Sequence, residues 1–244
     1  VKDIYSYGSI TSSGSYPNYQ YIYGYIVVAE DGAYSMSSTV KKNISTSVIS
    51  SDSQFITKNV SGTIIKSMKN SSTEILVLDD SGKLWLEYKS GSTMTYKCLT
   101  DDTTHSLYGK QIVDMDICDN GSKYVIDSEG NVYAWGGITG ASQPTLYTKH
   151  DNIITTLYGE ATKENKAKFL KAISSSKPIV EFVGNNIYVA RYANSQVTCI
   201  DISKEYINGL GNINQVVGEN EVKTEEGKIY RITPEGTSSY TIEE

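Results

Sequence analysis

The segment from Gly121 to Gly136 constrains the fold most strongly, because it reads as a complete β-hairpin. Its two runs of β-branched and aromatic residues are Lys123 to Asp127 and Val132 to Trp135. Between the two runs, Ser128 to Asn131 has the composition of a turn. A two-stranded hairpin alone is marginally stable in water, so this segment predicts a larger sheet to which the hairpin belongs.

The same kind of turn recurs along the chain at a nearly constant spacing. In each copy a glycine follows an acidic or small residue and precedes an aliphatic or aromatic one, around Gly32, Gly82, Gly130 and Gly227. These glycines are separated by 50, 48 and 97 residues, and the last interval is close to twice the others. The spacing predicts a repeat of about 50 residues with a degenerate copy in the last interval.

The segment Ile187 to Ile200 supplies that degenerate copy, with an Asn194-Ser195 turn that lacks glycine. It comes later than the period requires, and a helical insertion near 159–175 accounts for the excess. This insertion is rich in Glu, Ala, Lys and Leu, and it places Ala161, Phe169, Leu170 and Ile173 on one helix face.

Further short strands flank the hairpins in a regular way. One set precedes the hairpins: Ile64 to Met68, Ile112 to Met115, Ile179 to Val183 and Ile213 to Val217. A weaker set follows them: Met94 to Leu99, Thr145 to Lys149 and Tyr240 to Ile242. Four short antiparallel strands in about 50 residues are typical of a propeller blade. We therefore predict an all-β fold, a β-propeller of about five to seven four-stranded blades.

The predicted boundaries make residues 1–244 a single repeat array. The repeats lie near 16–58, 59–108, 109–158, 177–208 and 209–244, with the helical insertion at 159–176. Residues 1–8 form a partial blade, because Lys2 to Gly8 aligns with Gly130 to Gly136. Either the chain is a fragment of a longer protein, which we favour slightly, or strands from both ends close one ring.

The segment Gly130-Asn-Val-Tyr-Ala-Trp-Gly136 resembles the repeat of the regulator-of-chromosome-condensation propellers. Asp79 to Trp85 and Lys2 to Gly8 are similar with substitutions. The glycine-rich stretch and the His-Ser pair of that family are replaced here by Ser71-Ser-Thr73 and Gly121-Ser122. The resemblance implies a propeller scaffold that binds other macromolecules through its rims, without transferring any one member's function.

The charge balance narrows the choice of partner. The net charge is −6, and only two of the 22 basic residues are arginine, which argues against a nucleic-acid partner and favours a basic or neutral one. No apolar run approaches the roughly 18 residues of a membrane span. Cys98, Cys118 and Cys199 lack metal-ligand spacing and are interpreted as free thiols, although a disulfide between Cys98 and Cys118 is possible.

Tyrosines and one polar loop are the candidate binding residues. Tyr19, Tyr21, Tyr23 and Tyr25 alternate and would share one face of a strand, close to Tyr16. That face either packs between blades or forms an exposed aromatic surface for a partner. In the second case we expect Tyr16, Tyr19, Tyr21 and Tyr23 to bind it, together with the rim-loop residues Asp101, Asp102 and His105.

The sequence gives little indication of catalysis. His105 and His150, the two histidines, both lie in polar stretches typical of loops. The acidic pairs Glu30-Asp31, Asp79-Asp80 and Glu225-Glu226 lie in hairpin turns, where backbone geometry explains them. The acidic residues after Ile112 lack the spacing of a calcium loop. We expect neither metal nor cofactor.

These observations favour a non-enzymatic propeller module that binds a protein or a surface polysaccharide. The bias towards Asn, Ser, Lys, Ile and Tyr suggests an AT-rich bacterial source and an extracellular or cell-surface location. One alternative is a carbohydrate-active enzyme with acidic residues in the propeller channel. Another is a protein inhibitor that covers the active site of an enzyme.

Overall fold

The computed structural model describes most of the chain. The described residues are 1–11, 20–30, 32–41, 48–55, 60, 62–69, 74–90, 93–118, 120–175, 177–184, 186–193, 195–203, 208–218, 220–235 and 239–244. For residues 6–11, 20–26, 32–41 and 48–55, and for 69, 89–90, 93–94, 203, 234 and 239, only the backbone is described.

The described residues form five antiparallel sheets, and in each one the strands follow one another in chain order. Sheet 1 contains β1 (Asp3–Thr11), β2 (Gln20–Ala29), β3 (Gly32–Lys41) and β4 (Val48–Phe55). Sheet 2 contains β5 (Ile64–Lys69), β6 (Ile75–Asp79), β7 (Leu84–Ser90) and β8 (Thr93–Cys98). Sheet 3 contains β9 (Ile112–Ile117), β10 (Lys123–Asp127), β11 (Val132–Trp135) and β12 (Thr145–Leu146). Sheet 4 contains β13 (Ile179–Val183), β14 (Asn186–Ala193) and β15 (Gln196–Ser203). Sheet 5 contains β16 (Ile213–Val216), β17 (Glu221–Thr224), β18 (Ile229–Glu235) and β19 (Ser239–Glu243).

Four of these five sheets have four strands, which is the connectivity of propeller blades. The predicted fold class is therefore confirmed. The chain divides into two compact units: unit 1 is Val1–Ile117 with Val125–Gly130, and unit 2 is Cys118–Tyr124 with Asn131–Glu244. That residues 1–244 form a single array stays a prediction.

The repeating hairpin turns of sheets 2, 3 and 5 have one shared geometry. Gly82, Gly130 and Gly227 have φ values of +80°, +87° and +87°, which L side chains rarely adopt. In all three turns the glycine N–H donates to the carbonyl three residues earlier, on Asp79, Asp127 or Thr224, at 3.0–3.1 Å. This is why glycine, rather than any small residue, marks the period in the sequence.

A second hydrogen bond joins each of these turns to the start of the first strand of its sheet. The N–H of Asp80 donates to the Thr63 carbonyl, that of Ser128 to Gln111 and that of Glu225 to Asn212, each at 2.8 Å. The first strand is thereby held in register with the hairpin, at the same point in three sheets.

Asp79 shows why a carboxylate suits the position before such a turn. Its side chain is fully buried, yet Oδ1 accepts hydrogen bonds from the backbone N–H groups of Ser81 and Lys83 and from the Ser81 hydroxyl. Oδ2 accepts a hydrogen bond from the indole N–H of Trp85 at 3.0 Å. A buried carboxylate with this many donors is stabilised by them rather than available for chemistry. The interpretation of Asp79 as a turn residue is consistent with these contacts.

Each unit has its own apolar core. In unit 1, Val28, Ile64, Ile75 and Val77 form a buried cluster, against which Tyr5 and Trp85 pack. In unit 2, the buried residues of sheets 4 and 5 form a larger cluster, which consists of Val180, Ile187, Val189, Ile200, Ile202, Ile213, Val222, Tyr230 and Ile232. Alternating strands from two neighbouring sheets thus share one buried layer, as the short runs of the sequence require.

Sheet 4 is the degenerate copy, and its hairpin has a two-residue turn. Ala193 pairs with Gln196, and Ser195 has a φ of +63°, which makes it the only described residue other than glycine with a positive φ. The glycine that the sequence lacks is therefore replaced by a serine in the same left-handed region. Among the described residues this sheet has three strands, where four were predicted.

The helical insertion consists of two helices, α1 (Asp151–Tyr158) and α2 (Lys163–Ser174). The prediction was right for α2, where Phe169, Leu170 and Ile173 are fully buried, but it missed α1. Ala161 precedes α2 and is half-buried, so it does not belong to that helix face. The Thr162 hydroxyl caps α2 by accepting a hydrogen bond from the N–H of Asn165. No described helix is long and apolar enough to cross a membrane.

His150 anchors the start of α1 and does not lie in an exposed loop, as its polar neighbours predicted. Its ring is buried among Tyr147 and Phe169, and its Nδ1 lies 2.6 Å from the Tyr147 hydroxyl. Burial, followed by the charge of Lys149, lowers the pKa of His150 to about 4, against the opposing effect of the Asp151 carboxylate. Burial also raises the pKa of Tyr147 well above its ordinary value. At neutral pH the phenol is therefore protonated and the imidazole is neutral, and the two share one hydrogen bond whose donor depends on the imidazole tautomer.

Three other sequence expectations have a different outcome. Lys2 to Gly8, predicted as a partial blade, belongs largely to β1, which pairs with β2 along its whole length as the first strand of sheet 1. The strand predicted at Thr145 to Lys149 ends at Leu146, because α1 begins at Asp151. Cys98, Cys118 and Cys199 are free thiols, so no disulfide joins Cys98 to Cys118.

We predict that Gly82→Ala destabilises the protein more than Gly227→Ala. A Cβ on Gly82 would lie 2.5 Å from Cγ of Gln111 and 3.0 Å from the carbonyl oxygen of Ile112, whereas a Cβ on Gly227 would meet nothing within 4 Å. Both changes place alanine at positive φ, which costs about 1–2 kcal/mol of folding stability. Gly82→Ala adds a packing clash that costs about 1–3 kcal/mol more. Urea titration measures the free energy of unfolding of both variants. An equal loss in the two variants would show that the contact with Gln111 and Ile112 does not matter.

We predict that His150 makes the stability depend on pH. Its folded pKa of about 4 lies below the unfolded value of about 6.5, so the stabilisation is complete above pH 6.5 and is lost as the pH falls towards 4. The total is about 2–3 kcal/mol. His150→Gln keeps a hydrogen-bond acceptor for Tyr147 and removes the titration, so its stability falls less over this range. His105→Gln is the matched control. The prediction fails if only this variant, and not His150→Gln, weakens the dependence of the free energy of unfolding on pH.

Candidate partner-binding surface

The loop Thr100 to Gln111, between β8 and β9, contains three of the predicted binding residues. Successive turns fold it: the N–H of His105 donates to the Asp102 carbonyl, that of Tyr108 to His105 and that of Lys110 to Leu107. The N–H of Gly109 donates to the Thr100 carbonyl at 2.9 Å and closes the loop. Because Leu107 is fully buried beneath these turns, the loop is a fixed platform.

Asp101 and Asp102 are both ion-paired in this loop. Asp101 accepts a hydrogen bond from Nζ of Lys83 at 2.6 Å, and Asp102 pairs with Lys97. Oδ1 of Asp102 also accepts hydrogen bonds from the N–H and the hydroxyl of Thr104. These donors hold the pKa of each carboxyl below its usual range, chiefly through Lys83 for Asp101 and Lys97 for Asp102. Both carboxylates are therefore charged at neutral pH, which suits recognition rather than proton transfer.

His105 is half-buried and takes part in the loop structure. Its Nδ1 accepts a hydrogen bond from the N–H of Leu107 at 3.3 Å. Three residues later, Tyr108 is 54% exposed. The structure thus brings Asp101, Asp102 and His105 together. It adds Tyr108, one of 20 tyrosines, which no sequence pattern distinguishes from the others.

The predicted tyrosine surface is only partly covered by the structure. Tyr16 and Tyr19 lie outside the described residues. Tyr21, Tyr23 and Tyr25 occupy alternate positions of β2, as predicted, and Tyr21 pairs with Ile10 and with Val40. Their side chains lie outside the described part of the chain, so a binding role for these tyrosines stays a prediction.

Two hairpin turns of unit 1 flank the loop. On one side the N–H of Ile112 donates to the Gly82 carbonyl at 2.8 Å. On the other side Nζ of Lys110 lies 3.6 Å from carboxylate oxygens of both Asp127 and Glu129. We call residues 79–83, 100–111 and 127–130 the hairpin end of unit 1.

The first strands β5 and β9 each expose an apolar side chain near this end. Ile65 is 43% exposed and Val113 is 50% exposed, and both are the second residue of their strand. Ile65 lies at a β-bulge, because the pairing of β5 with β6 shifts between Ile64 and Lys66. The unpaired residue of a bulge turns its side chain away from the ladder. Sequence reading missed this, since Ile64-Ile65 looks like a continuous buried run.

A charged row follows these two apolar residues. Nζ of Lys66 donates to the Asp114 carboxylate at 2.8 Å, which joins β5 to β9 at equivalent positions. The Lys66 charge also acts on Asp3 of β1, whose pKa is lowered chiefly by the hydrogen bond from the Tyr5 hydroxyl. Burial, followed by Asp3, raises the pKa of Tyr5 well above its ordinary range. One lysine therefore lies between two carboxylates along three neighbouring first strands.

Metal-binding groups do not converge among the described residues. No group of three or more His, Cys, Asp or Glu side chains in the described part could hold a metal ion. Of the acidic turn pairs, Asp79 and Asp80 accept backbone hydrogen bonds, and Glu225 accepts one from the Asn212 side chain. These carboxylates serve the turns.

Solved structures that are similar to the chain include two of fission yeast SCAP and one of HIRA. The WD40 domain of SCAP from fission yeast is 14% identical, with a TM-score of 0.40 over 94% of this chain and 57% of that one. The complex of the fission yeast SREBP-SCAP binding domains is 13% identical, with a TM-score of 0.39 over 98% of this chain and 52% of that one. HIRA(644-1017) is 9% identical, with a TM-score of 0.18 over 59% of this chain and 52% of that one. This chain thus spans little more than half of the chains it matches. No family model and no curated protein matches it.

We predict that Asp102→Ala loosens the loop locally. Its carboxylate accepts two hydrogen bonds from Thr104 and pairs with Lys97, whereas the partners of Asp101, Lys83 and Cys98, both lie outside the loop. Hydrogen exchange at the amides of Thr104 and His105 should accelerate roughly tenfold in Asp102→Ala. Asp101→Ala is the control, and equal acceleration in both variants would show that the Thr104 hydrogen bonds do not hold the loop.

Proposed function

We propose that this protein is a non-enzymatic module that binds another protein through the hairpin end of unit 1. The observation that carries this proposal is the fixed loop Thr100 to Gln111, which presents Tyr108 with more than half of its surface exposed. A tyrosine on a preorganised loop offers a large contact area at a low entropy cost.

The chemistry of the same end supports binding rather than catalysis. Asp101 and Asp102 are held by lysines, and the buried Asp79 is held by four donors. His105 lies in the same loop as Asp101 and Asp102, but its Nδ1 accepts a hydrogen bond from the N–H of Leu107 within the loop. The fold class agrees, because blade-like sheets support interaction loops at the ends of their strands.

The finer parts of the proposal rest on the sequence. The motif that ends at Gly136 supports a relation to the regulator-of-chromosome-condensation repeats, and the composition supports a bacterial, secreted or surface-attached protein. An inhibitor would be a special case, in which the partner is an enzyme whose active site this end covers. Fractionation of the source cells tests the location, and a surface or culture-medium fraction is expected.

Site-specific photo-crosslinking tests the binding surface. Replacing Tyr108 with p-benzoylphenylalanine in the source cells should yield one discrete crosslinked protein, because this side chain is central to the exposed loop. The matched control carries the same group at Ile229, which is 47% exposed in unit 2. A partner captured equally from both positions, or from neither, would overturn the proposal. Tyr108→Ala should also reduce the partner recovered with the purified protein by roughly tenfold.

A further inference from the structure

A bulge in the first strand of sheet 2 exposes one apolar residue of unit 1, Ile65. The pairing shift at Ile65 in sheet 2 has a counterpart in sheet 5, between Ile213 and Gln215. There the bulged residue is Asn214, an exposed polar side chain. The backbone device is the same in both sheets, so it does not require an apolar residue. The fold therefore does not explain why an apolar side chain, Ile65, occupies the bulge in unit 1.

Val113 lies at the position of sheet 3 that corresponds to Ile65. Ile64 and Ile112 are 48 residues apart, as are Gly82 and Gly130, and the residue before each of these isoleucines accepts the hydrogen bond of its turn. Lys66 and Asp114, one residue further along, are bonded to each other. Ile65 and Val113 thus precede a directly bonded pair. We call Ile65 and Val113 the apolar patch, and Tyr108 lies in the loop that leads into β9.

The surroundings of the apolar patch are acidic. The hairpin end of unit 1 contains six carboxylates (Asp79, Asp80, Asp101, Asp102, Asp127 and Glu129) and two lysines (Lys83 and Lys110). Its net charge is −4, or −3 with Lys97, which reaches Asp102 from β8. Asp79 and Asp127 are buried, so the four carboxylates that reach the surface exceed these three lysines by one. All three lysines are already ion-paired with these carboxylates. Asp80 is exposed, and the side chain of Glu129 is 71% exposed.

We propose that the apolar patch binds an apolar segment of a partner protein that carries lysine or arginine. Apolar side chains of the segment would cover Ile65, Val113 and Tyr108, and its cations would meet the excess of carboxylates. An acidic segment would meet a surface of its own sign, so the arrangement selects for charge as well as apolarity. This inference rests on the proposed function and names the chemistry of the partner at the same end.

Two synthetic peptides test the selection directly. Both have about twelve residues and the same leucines, and they differ only in lysine against glutamate at the intervening positions. The purified protein should bind the lysine peptide at least tenfold more tightly at low salt, and this preference should shrink at about 0.5 M salt. Equal affinity for both peptides, or a preference for glutamate, would overturn the inference.

Substitutions distinguish binding at the apolar patch from non-specific hydrophobic binding elsewhere on the protein. Ile65→Ser combined with Val113→Ser should lower the affinity for the lysine peptide roughly tenfold. Ile229→Ser, at a comparably exposed position in unit 2, should leave it unchanged. Asp80→Asn combined with Glu129→Gln should weaken binding and reduce its dependence on salt. If Ile229→Ser weakens binding as much as the patch variant, the inference fails.

The partner captured by crosslinking at position 108 distinguishes this inference from the proposed function. Loss of that crosslink in the double variant Ile65→Ser, Val113→Ser supports both. A crosslink that persists in this variant at wild-type yield overturns the apolar patch and leaves partner binding by the loop intact. Thermal unfolding of the double variant should match wild type within a few degrees, since both residues are exposed.

Discussion

The backbone hydrogen bond from a hairpin turn to the start of its own first strand holds the repeating sheets together. It adds to the ladder that pairs the first strand with the second and fixes the register at the turn end of the sheet. The same bond occurs at Asp80, Ser128 and Glu225, always with the residue just before the first strand. It needs the N–H directed outwards from the turn, and the left-handed glycine two residues later allows that turn to close. The period of the sequence is therefore a period of backbone geometry.

This explains what could be predicted from the sequence. Gly82, Gly130 and Gly227 mark positions that other residues occupy only with strain, so the period, the strand order and the blade-like sheets were predictable from them. The helix α2 was predictable for a similar reason, since its buried face repeats at helical spacing. Sheet 4 is harder to predict, because Ser195 adopts the left-handed conformation at its turn and no glycine marks that turn in the sequence.

The parts that could not be predicted depend on contacts distant in sequence. His150 looks like a loop residue between Lys149 and Asp151, and only the packing of α2 against it makes it a buried, neutral ring. Ile65 looks buried because its neighbours are, and only the pairing shift with β6 exposes it. Of the predicted binding residues, Asp101, Asp102 and His105 do meet in one loop, but the lysine partners of the two aspartates come from the turn before β7 and from β8. The tyrosines of β2 were chosen by alternation alone, and their role stays a prediction.

The bulge in the first strands gives these sheets a position that is released from the ladder but fixed in space. Isoleucine occupies it in sheet 2 and asparagine in sheet 5, over the same local pairing shift. A side chain at this position can change from apolar to polar while every hydrogen bond that defines the sheet is kept. Such a repeat can acquire a new ligand by altering one residue per copy, and the scaffold carries over unchanged from one specificity to the next.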